Sequence, residues 1–171
     1  MSRFKQIALF SALCLFLAGP AFAGSLDELK ARVSAVSTRL EPATGLKPRI
    51  IVVNDTVRNA WVQPDRSIII TTGLLSECAS DDEMAFIIAH EASHVISKDY
   101  REKVPEFSPA TDIPAGELAE ISADINGAFF ARKAGFTPDA ALKILSKISS
   151  ETNAFHKRRL ATLKAFLKRS D

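Results

Sequence analysis

Two histidines four residues apart, set in an apolar helix, constrain this chain more than any other feature. His90-Glu91-Ala92-Ser93-His94 follows Met84-Ala85-Phe86-Ile87-Ile88-Ala89 and precedes Val95-Ile96. Positions 90 and 94 are one helical turn apart, so both imidazoles point the same way and can reach one tetrahedral metal at about 2 Å. Glu91 lies about 100° further round, where its carboxylate is placed to take a proton from a metal-bound water. The bland alternative is a surface turn with a solvated Glu91. The apolar flanks argue against it, because unpartnered imidazoles inside such a helix would be costly. Ser80-Asp81-Asp82-Glu83 is an S-x-x-E capping box that starts the helix. An H-E-x-x-H motif in this setting points to zinc, one ion per chain, and to hydrolysis of peptide bonds.

A catalytic zinc takes three protein ligands and keeps one position for water. Tyr100 and Ser97 stand where a metzincin has its third histidine and its glycine, which excludes that subclass. Downstream, Glu117 to Asp124 reads as helix, with Glu120 and Asp124 an i, i+4 pair on one face. One of these carboxylates can bind metal and the other can orient a ligand.

The E-x-x-A-D run Glu120-Ile121-Ser122-Ala123-Asp124, after H-E-x-x-H, resembles the M48 family of zinc metallopeptidases, a branch of the gluzincins. Asn59-Ala60-Trp61-Val62, the run from Ser67 to Leu75, Gly127 and Ala134-Gly135-Phe136-Thr137-Pro138 carry the resemblance from about residue 45 to the C-terminus. It implies that Glu120 completes the metal site with His90 and His94. It also implies that Asp124 accepts from one histidine ring and fixes its tautomer. The chain departs from the family pattern twice. Asn153 replaces the histidine of a T-H-P motif, while Arg159 matches. Arg159 is therefore expected to bind the developing oxyanion or a site carboxylate, and Asn153 to donate one hydrogen bond. His156 is out of register, and His156-Lys157-Arg158 reads as a basic, solvated helix start, just as Glu117 reads as a solvated face. Only 25 residues separate His94 from Glu120. Within that stretch, Asp99 to Pro114 is expected to be a loop that borders the cleft and restricts access.

Residues 1–23 read as a signal peptide, with Arg3 and Lys5 as a basic start, Ile7 to Leu17 as an apolar core and Ala21-Phe22-Ala23 as the cleavage site. The expected location is exported, periplasmic or secreted, with residues 24–171 forming an M48-like metallopeptidase domain. Removal of Arg3 and Lys5 takes the formal charge from +2 to zero, which leaves no argument for nucleic acid. No later run is apolar enough for a membrane span. Cys14 leaves with the signal, and Cys78 reads as a buried small residue rather than a nucleophile.

The expected fold class is α+β, a mostly helical zincin-like domain with a small three-stranded sheet packed on the zinc-binding helix. Ser25-Leu26-Asp27-Glu28 opens a helix with a stripe of Leu26, Leu29, Val33, Val36 and Leu40. Strands are expected at 48–53, 60–62 and 67–71, and helices at about 81–98, 115–134, 138–150 and 155–168. The resemblance implies an endopeptidase in which Glu91 assists attack by a zinc-bound water, with exported, unfolded or extended polypeptide added as a strand along residues 60–62. Two other readings stay open: a zinc-stabilised, chaperone-like binding module for envelope quality control, and a non-proteolytic amide hydrolase.

Overall fold

The computed structural model describes residues 25–101, 115–148 and 153–169. The expected signal peptide and residues 102–114 of the expected cleft loop lie outside them. The elements are α1 (Leu26–Thr44), β1 (Ile50–Val53), β2 (Ala60–Val62), β3 (Ile68–Thr71), α2 (Thr72–Leu75), α3 (Asp81–Arg101), α4 (Ala115–Lys133), α5 (Asp139–Ile148) and α6 (Ala154–Lys168). This is the mostly helical α+β arrangement that the periodicity predicts.

β3 is the central strand of the sheet β1-β3-β2, parallel to β1 and antiparallel to β2. Its β-branched run Ile68-Ile69-Ile70-Thr71 is wholly buried, as expected of a strand covered on both faces. Ile68 and Ile70 share one apolar cluster with Met84, Ile87 and Ile88 of α3 and with Leu29, Val33, Val36 and Leu40 of α1. Each such side chain contributes about 1.5–3 kcal/mol on removal from water. Among the described residues no helix is long and apolar enough to cross a membrane.

Three carboxylates at the start of α3 fix where the histidines lie. Asp81 accepts two hydrogen bonds from Arg32 of α1, at 3.0 and 2.7 Å. Asp82 accepts from the Thr137 backbone N–H at 2.9 Å, just before α5. The capping box is shifted from its expected form. Ser80 Oγ does accept from Glu83 N–H at 3.3 Å, but the Glu83 carboxylate reaches back to the N–H of Ala79, at 2.8 Å. The same oxygen of Glu83 accepts from Lys147 of α5 at 2.7 Å. Acidic groups here also oppose the positive end of the helix dipole.

α4 crosses α3 at His90. A Cβ on Gly127 would stand 3.0 Å from the His90 backbone nitrogen and 3.1 Å from its Cα, so only glycine lets the two helices close to this distance. Cys78 is buried, and burial pushes its thiol up to about 12. Gly127→Ala should lower stability by about 1–3 kcal/mol, read as a fall in the thermal unfolding midpoint. Cys78 should resist alkylation by iodoacetamide at pH 8 in the native protein and react once it is unfolded, as a mass-spectrometric time course would show.

Candidate metal centre

Each side chain of the centre is delivered by a different stretch of helix packing. His90, Glu91 and His94 come from the middle of α3, Glu120 and Asp124 from one face of α4, and Arg159 from the first half of α6. Nε2 of His94 lies 3.2 Å from Nε2 of His90 and 3.3 Å from Oε1 of Glu120, and Nε2 of His90 lies 3.5 Å from Oε2 of Glu120. A tetrahedral ion with ligands at about 2.0–2.1 Å has edges of roughly 3.3–3.4 Å between ligand atoms. The three donors therefore already stand at the corners such an ion needs. Among the described residues this is the one such cluster of histidine and carboxylate donors.

Behind the ring of His90, Nδ1 stands 3.0 Å from Oδ1 of Asp124, at an angle too bent for a good hydrogen bond. Nδ1 is thus the nitrogen directed at a carboxylate, which favours its proton there and leaves the lone pair of Nε2 facing the cluster. Three lone-pair atoms facing one another at about 3.3 Å repel unless positive charge lies between them, so the donor set fits a borderline cation such as zinc.

Asp124 is 1% exposed. Arg159 grips it with a two-pronged ion pair, Nε to Oδ2 at 2.7 Å and one terminal nitrogen to Oδ1 at 2.7 Å, and its other terminal nitrogen lies 3.3 Å from Glu120. Of the two expectations for Arg159, the geometry matches the site carboxylates. Burial would raise the Asp124 carboxyl, but the two bonds from Arg159 and the adjacent ring of His90 outweigh it and hold it below its usual range. Burial would likewise lower His90, yet the adjacent carboxylates of Asp124 and Glu120 hold it up, at about 9. Hydrogen bonds from His90 and then His94 keep Glu120 well below the usual carboxylate range.

Glu91 is buried, and loss of solvent raises its carboxyl against the opposing pull of His90 and His94. A carboxylate so placed is a stronger base than one in water. Asn153 is exposed and acts as the N-cap of α6, its Oδ1 accepting from the N–H groups of Phe155 at 2.8 Å and His156 at 3.3 Å. Among the described residues its side chain makes no hydrogen bond to the cluster. His156 is half-buried with its ring 5.9 Å from that of Phe155.

Two contacts escaped sequence reasoning. Glu117 is not simply a solvated face: it accepts from Arg158, beside the Arg159 pair. Asn126 of α4 donates to Ser93 of α3 at 3.0 Å, one residue from His94. Partners 41 and 33 positions apart leave no local signal.

The profile of peptidase family M48 matches residues 23–108. The chain is 26% identical over 140 residues to the mitochondrial metalloendopeptidase OMA1 of Arabidopsis thaliana, covering 68% of this chain and 28% of that protein. It is 32% identical over 98 residues to the Schizosaccharomyces pombe protein of the same name, covering 56% and 28%. To that of Saccharomyces cerevisiae it is 27% identical over 132 residues, covering 62% and 38%. The chain thus spans well under half the length of each. All three are mitochondrial by name, which overturns the expectation of a periplasmic or secreted location. A basic start followed by an apolar run describes the composition of a leader and does not specify the membrane it is addressed to.

Asp124→Asn should weaken zinc binding by about 10–100-fold, measured by competition with a chromophoric chelator. Unchanged affinity would remove Asp124 from its supporting role.

Proposed function

The chain belongs to peptidase family M48, and from that premise we propose that it is a zinc-dependent endopeptidase acting on unfolded or extended polypeptides. The observation that carries this reading is the convergence of His90, His94 and Glu120 at metal-ligand spacing beside a buried Glu91. His90, His94 and Glu120 hold the ion, and Asp124 and Arg159 hold His90 and Glu120 in position. Zinc, when bound, supplies a Lewis acid that polarises a carbonyl and brings the pKa of a coordinated water toward neutrality.

Glu91 is the base in this mechanism. Its carboxylate accepts the proton of the attacking water and returns it to the amine nitrogen as the peptide bond breaks, so that one proton is moved and none is lost. Burial favours both halves of the cycle, since a desolvated carboxylate takes the proton readily and keeps it until the amine leaves.

The outer side of β2 supports the choice of an extended substrate. Among the described residues only its inner side pairs with another strand, β3, and Trp61 is 39% exposed. An extended peptide adds to such an edge through main-chain hydrogen bonds, which tolerate many side chains.

One pair of observations favours a second reading, a zinc-stabilised polypeptide-binding module with little turnover. Asn153 is engaged as a helix cap and Arg159 with carboxylates, so neither has its hydrogen bonds directed at a developing oxyanion. The intact Glu91 weighs against it, because a structural zinc site closes all four positions and has no use for a base.

The two readings separate in one experiment. Full chain loaded with zinc should cut unfolded casein in a chelator-sensitive manner. Glu91→Gln should retain the metal and lose roughly 10²–10⁴-fold in cleavage rate. Equal cleavage by the variant would remove Glu91 as the base, and metal-dependent casein binding without cleavage by either protein would favour the binding module.

A further inference from the structure

The last helix carries an unusual distribution of charge. From Asn153 to Ser170 the sequence contains Lys157, Arg158, Arg159, Lys164, Lys168 and Arg169 and not one Asp or Glu. The chain as a whole is nearly balanced, at a formal +2, so this is segregation and not a general excess. Arg158 and Arg159 are engaged with Glu117 and Asp124. Lys157, Lys164 and Lys168 are exposed and have no ion-pair partner among the described residues. Elsewhere Arg32, Arg58 and Lys147 each face a carboxylate across the fold.

At 100° and 1.5 Å per residue, Lys157, Lys164 and Lys168 fall within an arc of about 40° and span about 17 Å along the axis. They form a straight row about a quarter of a turn from the buried Leu163 and Leu167, and Ala161 and Ala165 are exposed on its other side. Helix stability does not explain the row. Cations suit the last turn, where Lys168 lies, but Lys157 stands near the positive end of the dipole, in a helix with no acidic residue in its first turn.

We propose that this face of α6 is an electrostatic docking surface for a membrane containing anionic lipid. A straight row of flexible ammonium groups fits a planar field of phosphate headgroups, which needs neither a pocket nor fixed bidentate geometry. A folded protein partner would need buried aromatic or aliphatic anchors. None of the exposed large apolar side chains, Val53, Val57, Trp61 and Phe129, is on α6. The row is also short of the six to ten phosphate contacts typical of firm nucleic-acid binding.

The test is co-sedimentation of the full chain with vesicles of phosphatidylcholine alone or with 30 mol% phosphatidylserine, at low and high salt. Three proteins are compared: wild type, the K157Q/K164Q/K168Q variant, and a K30Q/K47Q/K143Q control that loses the same charge away from α6. Circular dichroism verifies that each is folded. Each lysine near an anionic surface is worth roughly fivefold in partitioning, so the α6 variant should bind the anionic vesicles roughly a hundredfold more weakly while the control retains most of its affinity. Binding by the wild type should fall with salt. Residues 1–24 are common to every arm and cancel in the comparison. Equal partitioning of wild type and α6 variant, equal loss in the control, or tighter binding of wild type to a 20-nucleotide DNA than to the anionic vesicles would each overturn the proposal.

Discussion

A buried carboxylate needs compensation, and the centre of this molecule is organised around how Asp124 obtains it. Leaving such a charge without partners inside protein is strongly destabilising. Here the compensation comes from two sides, the ring of His90 on α3 and the guanidinium of Arg159 on α6, with Asp124 itself on α4. Three helices are thereby held in one geometry by a single side chain. Arg159 also faces Glu120, so the residue that balances Asp124 sets the position of the proposed third ligand. Arginine suits this place because its planar fork meets a carboxylate with two parallel bonds, which lysine cannot do.

The rest of the fold serves to bring α3 to that point. Its first turn is tied to α1 through Asp81 and Arg32, to the residue preceding α5 through Asp82, and to α5 itself through Glu83 and Lys147. Further along, the missing side chain of Gly127 lets α4 approach the His90 backbone. The histidines are therefore placed by packing along α3 from Glu83 to Val95, where nearly every residue is buried.

Much of this was legible in the sequence, and the exceptions have physical causes. Spacing and resemblance pointed to His90, His94 and Glu120 together, since two are one turn apart and the third belongs to a motif with a single partner in the chain. The stripe of α1 and the β-branched run of β3 could be read because their periods follow from backbone geometry. The family pattern makes Asn153 a hydrogen-bond donor, although asparagine immediately before a helix is a cap by local chemistry, and capping is the bond its oxygen makes. The pair Arg158 and Glu117 was not legible, because a charge run is usually solvated and nothing local names a partner on another helix. The expected periplasmic or secreted location fails because a basic start followed by an apolar run carries no address.

The placement of Arg159 on the final helix also bears on how the molecule assembles. During synthesis α3 and α4 leave the ribosome first, with both histidines, Glu120 and Asp124 present but the guanidinium still to come. Until α6 packs, the interior carboxylate is only half neutralised, and Glu120 lacks the neighbour that steadies it. The proposed metal centre is therefore fully supported only once α6 has packed on α4, and a fragment that stops at α4 carries the motif without Arg159.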